Sequence, residues 1–219
     1  MKHCTWGDIC SLEYGKAIRN YPSEPSEQYC FRVFGTNGPI GWTSEPLCKD
    51  AGIIVGRKGA YRGVHFSPEP FFVIDTAYYV RLKSTAVDLK WAYYNLLTVD
   101  INRIDVGAAI PTTNRDSFYV VPVAVPSLLS QRKSAAILSA YDSLIENNLR
   151  RMKLLEESAR LLYREWFVRL RFPGHEHTRI VNGMPEGWGE NDFLRWLRLI
   201  VKPYGVRTKD KLSTWIFRP

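Results

Sequence analysis

The chain has 219 residues, 30 basic against 22 acidic side chains, and a formal net charge of +8. That size allows one large domain plus an extended element, and the cationic surplus favours a polyanionic partner, nucleic acid above all. No window approaches the roughly 20 apolar residues of a membrane span and "MKHCTWGDIC" carries no signal-peptide pattern, so a cytoplasmic location without membrane contact is expected.

Cys4, Cys10, Cys30 and Cys48 have no C-x-x-C spacing and read as four reduced thiols. His175-x-His177 lacks a second ligand pair, so no metal site is expected there.

Residues 1–126 read as a mixed α/β domain. Strands are expected at Tyr29–Gly35, Ala51–Gly56, Phe71–Ile74 and Tyr78–Leu82, each rich in β-branched or aromatic residues and bounded by turn signals. Asp88 is placed to cap a helix over "LKWAYYNLLTVDI", whose Trp91, Ala92, Leu96 and Val99 fall near helical spacing. "AAIPTTNRDSFYVVPVAVP" is expected to be extended, with Pro122 and Pro126 confining it to a sheet edge or a connector. Two glycine-rich stretches, "VFGTNGPIGWTSEP" and "IIVGRKGAYRGV", read as polar loops.

From Ser127 to about Val168 there is neither glycine nor proline. Leu138, Ile145, Met152, Ala159 and Trp166 recur every seven residues, with Tyr141, Asn148, Leu155 and Leu162 at the intervening three-four step. This pattern predicts a long helix over 127–170 with a coiled-coil seam, which requires a partner helix from another chain. Asn148 would fix register at some cost in stability. A helix lying back on its own domain is the alternative. Pro173 and Gly174 are expected to end the helix, and residues 171–219 read as a linker followed by a basic, aromatic stretch too short for its own core.

Catalytic constellations are missing. "GRKGAYRG" is neither a G-x-x-x-x-G-K-[ST] loop nor G-x-G-x-x-G. No Asn-Pro-Pro-aromatic or Asp-Pro-Pro-Tyr tetrapeptide occurs. Asp75 with Asp88-x-Lys90 superficially suggests a metal-dependent nuclease, but Asp88 stands where a helix begins and is better explained as its cap. The chain reads as non-catalytic.

"VFGTNGPIGWTSE", "IIVGRKGAYRGVHF", "DTAYYV", the run from "AIPTTNRD" through the long helix, and "MPEGW" together resemble the specificity (S) subunit of type I restriction–modification enzymes over roughly residues 1–190. The resemblance implies an α+β plan: a mixed α/β target-recognition domain (1–126) that reads one half of a split DNA site, followed by a long coiled-coil helix (127–170). It implies as partners double-stranded DNA, DNA methyltransferase subunits and a restriction subunit. Those partner subunits carry out methylation and cleavage with S-adenosylmethionine, ATP and Mg, and no cofactor is expected on this chain. One recognition domain and one helix suggest a half-length subunit, natural or truncated, that pairs as a homodimer or with another half-subunit.

Within that reading the glycines are first of all fold residues, because similar glycine phrases recur in members reading different sequences. Arg57, Lys58, Tyr61 and Arg62 are candidate DNA contacts, a solvated turn with Tyr61 packed inward being the alternative. Thr36 and Asn37 match base-edge donors and acceptors. Thr112, Thr113, Asn114 and Arg115 form a second such loop, for which a turn capped by Asn114 is the alternative. A coiled-coil adaptor, or an inactive truncated remnant without DNA specificity, is the rival from another class.

Overall fold

The computed structural model describes residues 1–104, 111–181 and 183–188. The chain separates into two compact units, Met1–Ile145 and Glu146–Pro219. The terminal basic stretch from residue 189 lies outside the described residues.

The first unit is organised around β5 (Gly52–Gly56), whose five residues are all buried. Alternation along a strand sends Ile53 and Val55 to one side and Ile54 to the other, and both sides are covered. Ile53 and Val55 join the larger core with Trp6, Leu12, Trp91, Leu96 and Phe118. Ile54 joins a smaller core with Phe34, Phe71, Val73 and Ala77. Burial on both faces explains why this strand is a continuous apolar run rather than an alternating one.

Around it, β2 (Cys10–Tyr14), β8 (Ala77–Leu82), β5 and β6 (Val64–Ser67) form an antiparallel sheet in that order. A second sheet has the order β4 (Gly38–Thr43), β3 (Phe31–Gly35), β7 (Phe71–Val73). Its β3–β4 pair corrects an expectation. Most of "VFGTNGPIGWTSEP" is a hairpin, not a loop: Gly35 faces Gly38 across a turn made only of Thr36 and Asn37. Gly38 has φ +114°, which a side chain would resist.

Helix α2 (Leu89–Leu96) starts as expected, with Asp88 Oδ1 accepting from the Trp91 N–H at 2.9 Å. It is shorter than the sequence pattern suggested. Asp100 accepts from the Asn102 N–H and starts a separate 3-10 turn, Ile101–Arg103. The expectation of extended chain after Pro111 is also corrected. Asn114 accepts from the N–H groups of Asp116 and Ser117 and starts a short helix, α3 (Arg115–Tyr119), which buries Phe118. Only then does β9 (Pro122–Val125) run as a strand, paired with β1 (Lys2–Thr5) in a two-stranded sheet of their own. The Asp88 N–H and Tyr94 OH receive the start of the long helix α4 (Leu128–Tyr163), donating to its Gln131 and Asp142 side chains. All four cysteines are free thiols, and burial pushes Cys10 up to about 12.

In the second unit α4 continues to Tyr163, giving an unbroken helix of 36 residues, about 54 Å at 1.5 Å per residue. A π-helical turn, Arg164–Val168, follows. Leu170 then has φ +55°, so the helix ends before Pro173 rather than at it. The segment read as a linker packs against itself. Trp188 lies 5.2 Å from the Phe167 ring and 4.7 Å from that of Phe172, and Ile180–Val181 pair with Met184–Pro185. His175 and His177 lie in a 3-10 turn, with His175 Nδ1 2.8 Å from the Phe172 carbonyl.

Candidate nucleic-acid interface

Strand direction brings the turns β3–β4, β5–β6 and β7–β8 to one end of the two sheets, and hydrogen bonds tie them together. Thr36 Oγ1 lies 2.8 Å from the Lys58 carbonyl and 2.7 Å from that of Thr76. The Arg57 and Lys58 N–H groups both donate to the Thr76 carbonyl. The Pro111–Arg115 segment joins from the far side of the sequence: Gly59 N–H donates to Pro111 O, Thr113 N–H to Arg57 O, and Lys58 and Thr112 form a β-bridge. Four stretches separated in sequence therefore make one surface.

The ten candidate contacts divide by exposure. Asn37, Lys58 and Tyr61 are exposed, Tyr61 at 66%. Thr36, Arg57, Thr112, Asn114 and Arg115 are half-buried. Arg62 and Thr113 are corrections, at 2% and 0% exposed. Arg62 points into the protein, where its guanidinium donates to the carbonyls of Asn102 (2.8 Å), Gly59 and Ile101 (both 3.4 Å), and its own N–H donates to Asn102 Oδ1. Buried cations persist only with such partners, so Arg62 pins the loop to the 3-10 turn and is turned away from the outer surface. Thr113 Oγ1 donates to Gly56 O at 3.0 Å and the Thr113 carbonyl accepts from Tyr78 OH at 3.2 Å, which leaves it a crosslink between loop and strand. Asn114 uses its side-chain oxygen as the cap of α3, and its amide nitrogen remains for other partners.

Glycine serves close packing here. A Cβ on Gly56 would sit 2.8 Å from Thr36 O and 2.9 Å from Arg62 Cα, so the loops can cross only without one. His65 lies beneath the hairpin turn, 3.3 Å from where a Gly38 Cβ would be, and burial lowers its pKa, with a Thr36 backbone contact partly opposing. Burial, with Tyr14 adding to it, raises Tyr78 to about 12, so it stays a neutral donor.

One residue of this surface escaped the sequence reading. Tyr14, at the end of β2, is 44% exposed and has the Arg57 guanidinium 4.7 Å and the Arg115 guanidinium 4.5 Å from its ring centroid. Nothing in "SLEYG" marks it, because strand pairing opposite Tyr78 is what places it there. Beside Tyr61, Val64, Leu96, Val99 and Ile101 help line a cleft of about 330 Å³.

The seam residues lie on α4 and its π turn. Leu138, Tyr141, Ile145, Met152, Leu155 and Leu162 are exposed, from 43% at Leu138 to 69% at Leu155. Asn148 and Ala159 are exposed as well. In the first unit an adjoining row of the same helix is covered: Gln131 and Ala135 are buried, and Tyr94 OH donates to Asp142 Oδ2 at 2.5 Å. Helical geometry puts the row Gln131, Ala135, Ser139, Asp142 beside the row Leu138, Tyr141, Ile145, with Leu138, seven residues from Gln131 and four from Asp142, at their border. Trp166 is half-buried and sits in the π turn, where the extra residue per turn breaks the heptad phase.

Among the described residues no group of three or more His, Cys, Asp or Glu is placed to hold a metal ion, and no helix is long and apolar enough to cross a membrane.

This α+β architecture, sheets followed by one long helix, is shared with the S subunit of the type I restriction–modification system of M. genitalium. The two superpose with a TM-score of 0.65 at 20% identity, over 80% of this chain and 48% of that one. Residues 2–157 match the family described as the type I restriction modification DNA specificity domain, and the chain belongs to that family. It is 30% identical over 199 residues to the MjaIX specificity subunit of Methanocaldococcus jannaschii, and 27% identical over 146 residues to the EcoprrI specificity subunit of Escherichia coli. These alignments take in 83% and 65% of this chain but only 41% and 36% of the relatives, so the chain spans less than half their length.

Proposed function

We propose that this chain is the non-catalytic DNA-recognition component of a type I restriction–modification system. The loop cluster of the first unit reads one half of a bipartite duplex target, with Asn37, Lys58 and Tyr61 presented outward and Thr36, Arg57, Thr112, Asn114 and Arg115 around them. The exposed apolar row of α4 takes a partner helix, from a second copy or another half-subunit, and the helical region docks the methyltransferase subunits. Methylation and cleavage then belong to methyltransferase and restriction subunits that use S-adenosylmethionine, ATP and Mg. This division of labour places the protein with its DNA, in the cytoplasm.

The observation that carries the reading is the convergence of sequence-distant polar loops, with cations that form no ion pair among the described residues, on a domain of the DNA specificity family. Phosphate contacts supply affinity and base-edge contacts supply choice, and the cluster holds residue types suited to both. Mixing the full chain with its methyltransferase subunits should yield a multisubunit complex that protects a split site from nuclease. A complex that forms but retards no duplex at any salt concentration would instead make the chain a helix-borne adaptor.

A further inference from the structure

The Tyr14 cluster supports a more specific assignment than membership of a DNA-facing surface. Leu12, two residues earlier on the same strand face, is buried, whereas Tyr14 emerges at the strand end. Arg57 arrives from the end of β5 and Arg115 from the start of α3, and both guanidiniums lie over this one ring. Each is tethered at one nitrogen: Arg57 Nη1 donates to the Asp75 carbonyl at 2.9 Å, and Arg115 Nη1 to the Leu12 carbonyl at 3.4 Å. A guanidinium has five N–H donors, so most of each fork is unspent. Asp75 meets Arg57 through its carbonyl and Asp116 follows Arg115 in sequence, yet among the described residues no carboxylate forms an ion pair with either arginine. Two permanent, half-buried charges gathered at one aromatic ring, with no counter-charge among the described residues, constitute an anion site.

We propose that Arg57 and Arg115, positioned by the Tyr14 ring, clamp one phosphodiester of the DNA backbone and do not read sequence. This rests on the DNA-recognition reading above. Backbone phosphates are the part of a duplex met first, while base edges lie deeper and call for the most protruding side chains. Here the protruding groups are Asn37, Lys58 and Tyr61, and the arginine pair sits lower, at the strand ends. A planar fork suits a phosphate oxygen pair, and packing on an aromatic ring fixes its orientation. Tyr14 is a positioning residue.

The test is a salt titration of duplex binding by the full chain, read by fluorescence anisotropy on the preferred duplex and on unrelated duplexes. Losing one neutralised phosphate makes the slope of log K against log salt shallower by about 0.9. Arg57→Gln with Arg115→Gln is expected to show that change, and to weaken all duplexes equally, by roughly tenfold or more. Tyr14→Leu should reproduce it, whereas Tyr14→Phe, which keeps the ring, should leave the slope of the parent. If the glutamine pair fails to fold, Arg57→Lys with Arg115→Lys replaces it: the slope should persist while affinity falls, and an unchanged affinity would overturn the clamp. An unchanged slope in a folded glutamine variant overturns it too, as does a loss confined to one base-pair position, which would make the arginines base readers. A parent chain that binds no duplex at any salt removes the DNA reading itself, and the clamp with it.

Discussion

Gln131 offers the most direct test of how the recognition unit holds its helix. Its side chain is fully buried, and its three hydrogen bonds join three segments. Oε1 accepts from the Asp88 N–H at 2.8 Å, and Nε2 donates to the carbonyls of Ala86 at 3.0 Å and Pro126 at 2.9 Å. Gln131→Ala removes all three, leaves a donor and two acceptors in a site with no replacement partner, and opens a gap beside Ala135. An unsatisfied buried group costs about 1–3 kcal/mol, and the three share one site, so their costs do not simply add. A loss of about 3 kcal/mol is expected, equivalent to a fall in Tm of roughly 6–12 °C for a chain of this size. Denaturant unfolding followed by the fluorescence of the seven tryptophans, Trp91 at this junction among them, measures it. Asp88→Ala, which removes a single cap, should cost only about 1 kcal/mol. If Gln131→Ala costs no more than Asp88→Ala, the glutamine is not the anchor and the contacts of Ala135 and Tyr94 must hold the helix alone.

Ile145 is exposed in the single chain, so Ile145→Asp should leave the recognition unit folded while abolishing self-association in sedimentation; a variant that sediments like the parent would remove the seam. Arg62→Gln should destabilise by about 2–4 kcal/mol because it strips the bonds to buried carbonyls, while Tyr61→Ala should stay within about 0.5 kcal/mol and act on DNA affinity instead, both read by thermal melts alongside binding. His65 has a lowered pKa when folded, so the unfolded chain takes up its proton first. Stability from this group is complete above the ordinary histidine value near 6.5 and is lost as pH falls from there through the folded pKa. His65→Gln should therefore flatten the fall in Tm between pH 7.5 and 5.5, and an unaltered pH profile would count against the buried position of this ring.

Much of the secondary structure is legible because it is written locally. Four strands were visible as short apolar runs, and Asp88 as a cap, since a carboxylate two or three residues ahead of free N–H groups needs no distant help. The short helix Arg115–Tyr119 and the β3–β4 hairpin were missed for related reasons. Five residues are too few to show a helical period, and the Thr36–Asn37 turn carries its glycines outside rather than within the pair. The helix end was misplaced because Pro173 is a visible stop signal, whereas the π turn and the left-handed Leu170 leave no mark in the sequence.

The candidate surface shows where local reading stops. Arg57 and Arg62 stand five residues apart in one basic loop and are indistinguishable as letters. One lies half-buried over Tyr14, and the other is buried among carbonyls of the Ile101–Arg103 turn. That difference depends on which backbone segment passes beside each residue, and those segments stand 18 residues away for Arg57 and 40 for Arg62.

The sequence alone determined that a helix with a seven-residue apolar repeat would form and that an α+β unit would precede it, because the period of a helix and the composition of a strand are properties of neighbouring residues. Tertiary structure decided which face of that helix the domain uses, which arginine faces outward, and that Tyr14 belongs to the surface at all. Each of those outcomes is set by long-range burial and hydrogen bonding, which no local pattern encodes.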